Sequence, residues 1–145
     1  MRKFLVINGP NLNMLGIREK NVYGAKTLKQ INEYILNETN NLDIEIEFFQ
    51  SNHEGSMIDK IHEAYGTKDA IVINAGAYTH YSYALRDAIS AIAPIPCAEV
   101  HLSDISARES FRNISVIREV CVLQICGQGE KGYVLAINRL MEGLI

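Results

Sequence analysis

The chain has 145 residues, of which 48% are hydrophobic and 21% are charged, with a net charge of -3 and a pI near 5.8. This size and composition predict one globular domain over residues 1–145 with a single core, and they exclude a disordered or fibrous protein. Because the chain is acidic and its Lys and Arg residues are dispersed, we expect no nucleic acid partner.

The sequence also lacks the features of a membrane or secreted protein. Its apolar runs are shorter than the ~18 residues of a membrane span, and its first residues lead directly into an apolar strand instead of a signal peptide. We therefore expect a cytoplasmic protein that does not contact a membrane. Cys97, Cys121 and Cys126 lie in or at the end of apolar runs, which predicts reduced thiols. No spacing typical of zinc ligands is present, so no metal is expected.

Strands and helices are predicted to alternate along the first half of the chain. Residues 4–7 form an apolar run that is too short for a helix and predicts a buried strand. A helical apolar stripe begins after Thr27, a suitable N-cap residue. Residues 44–48 alternate Ile or Phe with Glu and predict an outer strand. A second helix follows and is closed by Gly66.

The same alternation continues in the second half. Three further strands are predicted where the sequence is apolar, at residues 70–73, 96–102 and 120–126. A third helix is predicted to start near His80 and to end before Pro94. The polar segment after the fourth strand is predicted to hold one short helix around residues 107–111, and a final helix carries the apolar stripe of residues 133–144. This order predicts an α/β fold with an open five-stranded parallel sheet and helices on both faces.

Polar residues are concentrated at one edge of the predicted sheet. They follow the first four strands, at residues 8–23, 51–54, 74–80 and 101–112. Loops at the opposite edge contain ordinary turn residues. Because ligands of open parallel sheets bind outside the carboxyl ends of the strands, this asymmetry predicts an active site.

The long loop after the first strand contains a candidate base. Arg18 lies five residues before Tyr23, and a cation about 4 Å from a phenol at an effective dielectric near 20 is worth roughly 4 kcal/mol, or about three pKa units. A tyrosinate stabilised in this way is a general base near neutral pH. Taken singly, each residue is more often an ordinary surface residue.

A second candidate pair lies on the fourth strand. Glu99 and His101 fall on the same side of it, where a carboxylate can hold the imidazole tautomer and raise its basicity. The alternative is a structural core histidine. Asn11, Asn74 and His80 are explained either by ligand binding or by local turn and helix chemistry.

An anion site is the third feature of this edge. Ser103 and its neighbouring amides can bind an anion, and Arg108 and Arg112, four residues apart, can share a helical face toward it.

Residues 127–132, with the sequence GQGEKG, partly resemble a phosphate-binding loop. They match neither of the two common glycine-rich nucleotide motifs, so a tight turn into the last helix is the better interpretation. A flavodoxin-like phosphate- or flavin-binding module is nevertheless the alternative function. It would need a Ser/Thr-rich loop or an acidic phosphoacceptor after the first strand, where this chain has Asn8-Gly9-Pro10.

Six segments together resemble one known family: NGPNLNMLG, REKNVYG, FFQSNHEG, INAGAYTHYSYALRDA, EVHLSDISARESFR and ICGQGEKGY. They are similar to the type II 3-dehydroquinate dehydratases over nearly the whole chain. The resemblance implies a flavodoxin-like fold and a homo-oligomer, a dodecamer built as a tetramer of trimers. It also implies dehydration of the small-molecule substrate 3-dehydroquinate to 3-dehydroshikimate, with no cofactor.

The resemblance also implies a role for each candidate residue. Tyr23 would remove the proton alpha to the ketone while Arg18 and Arg108 keep it ionised, and Asn11 would hold a water against the enolate oxygen. His101, positioned by Glu99, would protonate the departing hydroxyl. The implied substrate-binding residues are Asn74, Leu102 and Ser103 for the carboxylate, His80 and Arg112 for the hydroxyls, and Asp87 from a neighbouring subunit. The loop carrying Arg18 and Tyr23 is expected to act as a lid.

Overall fold

The protein is described by a computed structural model that covers residues 1–17 and 26–144. Its centre is a sheet of five strands: β1 Arg2–Asn8, β2 Ile44–Gln50, β3 Ala70–Asn74, β4 Cys97–His101 and β5 Leu123–Cys126. All neighbouring strands are parallel, and their order is β2-β1-β3-β4-β5. This is the doubly wound order of flavodoxin-like folds, so the predicted α/β architecture is confirmed.

Helices cover both faces of the sheet: α1 Leu28–Glu38, α2 Glu54–Ala64, α3 Tyr83–Ala91 and α4 Lys131–Leu144. Alternate residues of β1 supply two separate hydrophobic clusters, because successive strand side chains point to opposite faces. Leu5 and Ile7 pack with α2 and α3. Phe4 and Val6 pack with α1 and α4.

The predicted start of the first helix is confirmed. Thr27 accepts a hydrogen bond from the Gln30 amide at 3.2 Å, and the Gln30 side chain accepts one from the Thr27 amide at 2.9 Å. This capping box supplies partners for two donors that the first turn of a helix cannot pair by itself.

The third helix begins three residues later than predicted. Residues Gly76–His80 form a 3₁₀ turn, and α3 starts at Tyr83 because the Ser82 hydroxyl accepts a hydrogen bond from the Leu85 amide at 3.0 Å. His80 therefore lies in the turn between β3 and α3 and not on the helix.

Two other predicted elements differ from the observed ones, again because 3₁₀ turns occupy part of the segment. The polar segment after β4 holds two 3₁₀ turns, Ile105–Ala107 and Ser110–Asn113, instead of one short helix. The fifth strand starts at Leu123 because Arg118–Val120 forms another 3₁₀ turn. Short 3₁₀ turns carry no hydrophobic periodicity, so the sequence pattern does not reveal them.

The direction in which the chain winds changes between β1 and β3, which places the carboxyl ends of these two strands at the switch point. Asn8 and Asn74 end the two strands side by side in register. Gly9 continues β1 so close to the neighbouring chain that an added Cβ atom would lie 2.6 Å from the Ala75 carbonyl oxygen. A side chain at position 9 would therefore separate the two strand ends.

Two further findings concern thiols and membranes. The three cysteines are free; Cys97 and Cys121 are buried and Cys126 is half-buried, as predicted for reduced thiols. Within residues 1–17 and 26–144, no helix is both long enough and apolar enough to cross a membrane.

Candidate active site

A polar cavity of about 130 Å³ opens at the carboxyl ends of β1, β3 and β4. Most of the predicted site residues line it. The lining residues are Pro10, Asn11, Leu12, Asn74, Gly76, Ala77, His80, His101, Leu102, Ser103, Ile105, Arg108 and Arg112. The cavity thus occupies the switch point that the strand order predicts for a ligand site.

His101 and Glu99 form a close polar contact in the cavity wall. Both side chains project from the same side of β4, and the His101 Nε2 atom lies 2.5 Å from the Glu99 Oε2 atom. Glu99 is fully buried behind the cavity lining, whereas His101 is 5% exposed and lines it. Since Nε2 faces the carboxylate, Nδ1 is the His101 ring nitrogen that Glu99 leaves for other partners.

Three more side chains hold the Glu99 carboxylate. Thr79 and Ser115 donate their hydroxyl hydrogens to Oε2 at 2.8 and 2.7 Å, and Gln124 donates to Oε1 at 3.1 Å. Burial alone would raise the pKa of Glu99. The hydrogen bond and charge of His101, together with the two hydroxyls, outweigh burial and lower this pKa below 4.5. Glu99 is therefore an ionised carboxylate beside an imidazole.

Asn74 is held in a second hydrogen-bond network at the end of β3. Its Oδ1 atom accepts a hydrogen bond from the Gly76 amide at 3.1 Å, and its Nδ2 atom donates to the Tyr133 hydroxyl at 3.2 Å. The Tyr133 hydroxyl donates in turn to the Asn8 Oδ1 atom at 2.5 Å. All three side chains are buried.

Asn11 lies in the loop after β1 with a backbone φ of 69°, in the left-handed region that Asn tolerates better than most residues. The backbone amide of Asn11 donates a hydrogen bond to the Asn52 Oδ1 atom at 2.9 Å. The Gln50 side-chain amide donates to the same oxygen at 3.2 Å and to the Gly9 carbonyl at 3.1 Å. The segment after β2 therefore supports the Asn11 turn from outside the cavity lining.

His80 has a defined tautomer. Its Nδ1 atom lies 2.8 Å from the Ile114 carbonyl oxygen, which can only accept, so Nδ1 carries the hydrogen. Burial lowers the pKa of His80, although the Ile114 hydrogen bond acts in the opposite direction. A neutral ring of this tautomer presents Nε2 as an acceptor.

Two arginines bring positive charge to the cavity. The Arg112 Nε atom donates to the Glu109 Oε2 atom at 2.5 Å, which lowers the pKa of Glu109. This contact fixes the guanidinium plane while its other nitrogens keep their donors. Arg108 lines the same cavity and is half-buried.

Residues 127–132, with the sequence GQGEKG, support the carboxyl end of β4. The Gly127 amide donates to the carbonyls of His101 and Ser103, both at 3.2 Å, and the Gly129 amide donates to the Leu102 carbonyl at 3.0 Å. Gly127 and Gly129 both have positive φ angles, 75° and 58°. The predicted tight turn into the last helix is confirmed, and it also holds Leu102 and Ser103 in the cavity wall.

Of the predicted site residues that the structure describes, Glu99 and Asp87 are not among those that line this cavity. Glu99 lies behind His101. Asp87 is exposed on α3 and is not part of the lining. Arg18 and Tyr23, with the predicted lid, lie outside the described residues.

Sequence reasoning missed the polar residues behind the lining, which are the buried Asn8, Thr79 and Tyr133 and the half-buried Ser115 and Gln124. Each was hidden within an apolar strand or helix pattern or within a polar loop. The available signal was an isolated polar residue among buried neighbours, because such groups need hydrogen-bond partners.

The fold and the site together define a class of protein. It is a doubly wound α/β protein whose cavity combines a carboxylate-supported histidine with amide and guanidinium donors, an arrangement suited to proton transfer on an oxygen-rich, anionic ligand. Among the described residues, no group of three or more His, Cys, Asp or Glu side chains could hold a metal ion.

The particular family follows from comparison with known proteins. The sequence model for "Dehydroquinase class II" matches residues 2–141, so this chain belongs to the class II dehydroquinase family. It is 58% identical over 143 residues to the 3-dehydroquinate dehydratase of Caldicellulosiruptor bescii, covering 98% of each chain. It is 54% identical over 144 residues to the Bacillus mycoides protein of the same name, covering 99% of this chain and 98% of the relative.

Solved structures agree. The type II dehydroquinase of Butyrivibrio crossotus matches with a TM-score of 0.94 at 55% identity, covering 97% of each chain. That of Propionibacterium acnes matches with a TM-score of 0.93 at 38% identity, covering 98% of this chain and 97% of the other. A 3-dehydroquinate dehydratase-like protein from Bifidobacterium longum gives a TM-score of 0.73 at 32% identity, covering 99% of this chain and 98% of the other.

Proposed function

We propose that this chain is a lyase that dehydrates 3-dehydroquinate to 3-dehydroshikimate in an anti elimination through an enolate. The single observation that carries the proposal is the pair of Glu99 and His101 in the cavity wall, with an Nε2 to Oε2 distance of 2.5 Å. Dehydration needs an acid that protonates a poor leaving group, the hydroxyl. An imidazole held by a buried, ionised carboxylate suits that role, because the contact fixes the ring in the cavity wall.

The reaction is divided between two proton transfers. Tyr23 removes the proton alpha to the ketone, and the electron pair of that C–H bond forms the enolate. The enolate then collapses to the conjugated enone as the C–O bond to the beta hydroxyl breaks, and His101 supplies the proton with which that hydroxyl leaves as water. Arg18 and Arg108 support the tyrosinate, and Asn11 holds a water against the enolate oxygen. The assignments of Tyr23 and Arg18 rest on the family resemblance alone.

The remaining cavity residues bind the substrate. Asn74, Ser103 and the amides of Leu102 and Ser103 take its carboxylate. His80 and Arg112 take its hydroxyls. Support for His80 comes from its tautomer: with Nδ1 donating to Ile114, Nε2 is an acceptor for a hydroxyl hydrogen. Support for Arg112 comes from its fixed guanidinium, whose donors outside the Glu109 contact suit hydroxyl oxygens.

The proposal is tested by adding 3-dehydroquinate to the purified chain and following the enone absorbance. We expect turnover in the wild type and its near-complete loss in Tyr23→Phe. Normal activity in that variant would refute the role of Tyr23.

His101 is tested by separating the two steps. For His101→Ala we expect dehydration to be lost while exchange of the alpha proton with deuterated solvent continues, because exchange needs only the base. Lost exchange with unchanged dehydration would contradict the assignment of His101 as the acid.

We also propose a cytoplasmic homo-oligomer, a tetramer of trimers in which each subunit is one catalytic domain and Asp87 completes the site of a neighbour. Support comes from the outward placement of Asp87 and from two large exposed aromatics near it on the chain, Tyr81 at 59% and Tyr83 at 67% exposure. Exposed aromatic residues are enriched where proteins associate. Sedimentation analysis tests this proposal, and a monomer at micromolar concentration would refute it.

A further inference from the structure

We propose that Tyr133 is a positioning residue for substrate binding, because its buried hydroxyl fixes the orientation of the Asn74 side-chain amide at the cavity wall. The inference rests on the proposed function and extends it to a residue of α4. Tyr133 is fully buried and lies one layer behind the cavity lining. It acts through Asn74 and does not contact the ligand.

The orientation follows from counting hydrogens. The Tyr133 hydroxyl has one hydrogen, and the Asn8 Oδ1 atom at 2.5 Å can only accept it. The hydroxyl can therefore only accept from Asn74, so the atom of Asn74 facing it at 3.2 Å is the amide nitrogen. At the other end of the same amide, Oδ1 must face the Gly76 amide, which is a donor at 3.1 Å.

The opposite orientation of the Asn74 amide has no hydrogen bond at either end. It would place two donors against each other at Gly76 and two acceptors against each other at Tyr133. Because these groups are buried, an unpaired donor or acceptor is costly. Of the two hydrogens on Asn74 Nδ2, one is used by Tyr133, so the other is the donor that a residue lining the cavity can offer.

Burial supports this assignment. The surrounding core raises the pKa of Tyr133, although the Asn74 hydrogen bond acts in the opposite direction. The hydroxyl thus keeps its hydrogen at the pH at which an enzyme works, and its donor and acceptor sides do not exchange.

The helix that carries Tyr133 is itself fixed to the cavity wall. The Gly129 amide, just before α4, donates to the Leu102 carbonyl at 3.0 Å. At Gly132 an added Cβ atom would lie 3.1 Å from a Val100 methyl group, so α4 approaches β4 closely at the turn that carries Tyr133. The start of α4, which carries Tyr133, is therefore held against β4.

The consequence concerns binding and not the proton transfers. An oriented N–H donor at Asn74 suits an oxygen acceptor of the ligand, such as a carboxylate, and it acts equally on the bound substrate and the transition state. Loss of such an interaction raises KM and leaves kcat nearly unchanged.

The first test is Tyr133→Phe, which removes one oxygen and keeps the ring that packs in the core. We expect KM for 3-dehydroquinate to rise about tenfold, the effect of losing one restraining hydrogen bond, with kcat within about twofold of wild type. Tyr34→Phe is the matched control, since it removes a phenol oxygen from a half-buried ring on α1 outside the cavity lining. We expect its KM to equal that of wild type.

A double-mutant cycle with Asn74→Ala separates positioning from general stability. If Tyr133 acts through Asn74, Tyr133→Phe raises KM in the wild-type background and has no effect when Asn74 is already Ala. A purely structural role would change the thermal midpoint in both backgrounds without this coupling. Equal KM increases in the two backgrounds, or an unchanged KM in Tyr133→Phe, would overturn the inference while the dehydratase proposal stands.

A second variant keeps the inference testable if Tyr133→Phe does not fold. Asn8→Ala removes the acceptor that fixes the Tyr133 hydrogen, so the hydroxyl can turn and the Asn74 amide loses its defined partner. We expect a rise in KM in the same direction, and an unchanged KM in a folded Asn8→Ala protein would overturn the inference. If wild-type protein does not turn over 3-dehydroquinate at all, the proposed function fails, and the role of Tyr133 in binding this substrate fails with it.

Discussion

Glu99→Gln tests the electrostatic basis of the site, because it removes a charge and changes little else. The Gln carbonyl oxygen can occupy the Oε2 position and still accept from Thr79, Ser115 and His101. Its amide nitrogen would then face Gln124, which now donates to Oε1 at 3.1 Å. Rotation of the Gln124 amide presents its oxygen instead, so every buried group can keep a partner.

The expected magnitude follows from the charge that is lost. Glu99 and His101 are both buried, and two unit charges about 4 Å apart at an effective dielectric of 20 interact by roughly 4 kcal/mol. Glu99→Gln would remove up to about this much of the interaction that supports His101 as the acid. Folding stability should change by only about 1 kcal/mol, because the hydrogen-bond count is kept.

The assay is kcat/KM for 3-dehydroquinate at neutral pH. If the Glu99 charge supports His101 as the acid, kcat/KM in Glu99→Gln should fall by about a hundredfold or more. Glu47→Gln is the control. Glu47 lies on β2 and forms ion pairs with Lys60 and Lys68, away from the cavity.

The result that would refute this reasoning is an unchanged kcat/KM in folded Glu99→Gln. A loss of folding would show as a lower thermal midpoint, and kcat/KM is then compared per amount of folded enzyme.

Two further predictions concern stability. Thr27→Ala removes the hydroxyl of the α1 capping box and should lower the free energy of unfolding in urea by about 1 kcal/mol, with kcat unchanged; no change would mean that the cap is not formed. His80 has a pKa below its ordinary 6.5, so as pH falls the unfolded chain binds a proton before the folded chain does. The stability that His80 contributes above pH 6.5 should therefore be lost as pH falls through the pKa of His80 in the folded protein. His80→Gln should flatten this part of the stability curve, while the loss due to Glu99, whose pKa is below 4.5, should remain at lower pH. A wild-type stability that does not fall below pH 6.5 would contradict the His80 assignment.

The sheet could be predicted from the sequence because each strand had a burial pattern of its own. The five residues of β3 are all buried, and the unbroken apolar run from Ala70 to Ile73 predicts a strand covered on both faces. β2 alternates Ile with Glu and lies at the edge of the sheet. The sequence pattern predicts the start of α3 too early in the chain. The helix begins where the Ser82 hydroxyl accepts a hydrogen bond from the Leu85 amide, and hydrophobic periodicity does not detect such a single contact.

Most residues that line the cavity could be predicted from the sequence, whereas those behind the lining, apart from Glu99, could not. Asn74 and His101 end β3 and β4, and Arg112 follows β4, so the topology rule finds them. Tyr133 could not be found in this way, because its position in the apolar stripe of α4 is enough to explain its burial. The partners of its hydroxyl, Asn8 and Asn74, lie on the strands β1 and β3. Hydrogen bonds that join residues 125 positions apart, as Tyr133 and Asn8 do, leave no local pattern in a single sequence.

The two networks behind the cavity differ in a way that matches the two tasks of the site. Around Glu99, four donors converge on one carboxylate, so the network holds a negative charge beside His101. Around Asn74, neutral donors and acceptors alternate from Gly76 to Asn8, so that network fixes direction without adding charge. A charged network changes the free energy of proton transfer, whereas a neutral one changes only how well a ligand is oriented. Glu99→Gln should therefore act on kcat and Tyr133→Phe on KM, and the reverse result would contradict this division between the two networks.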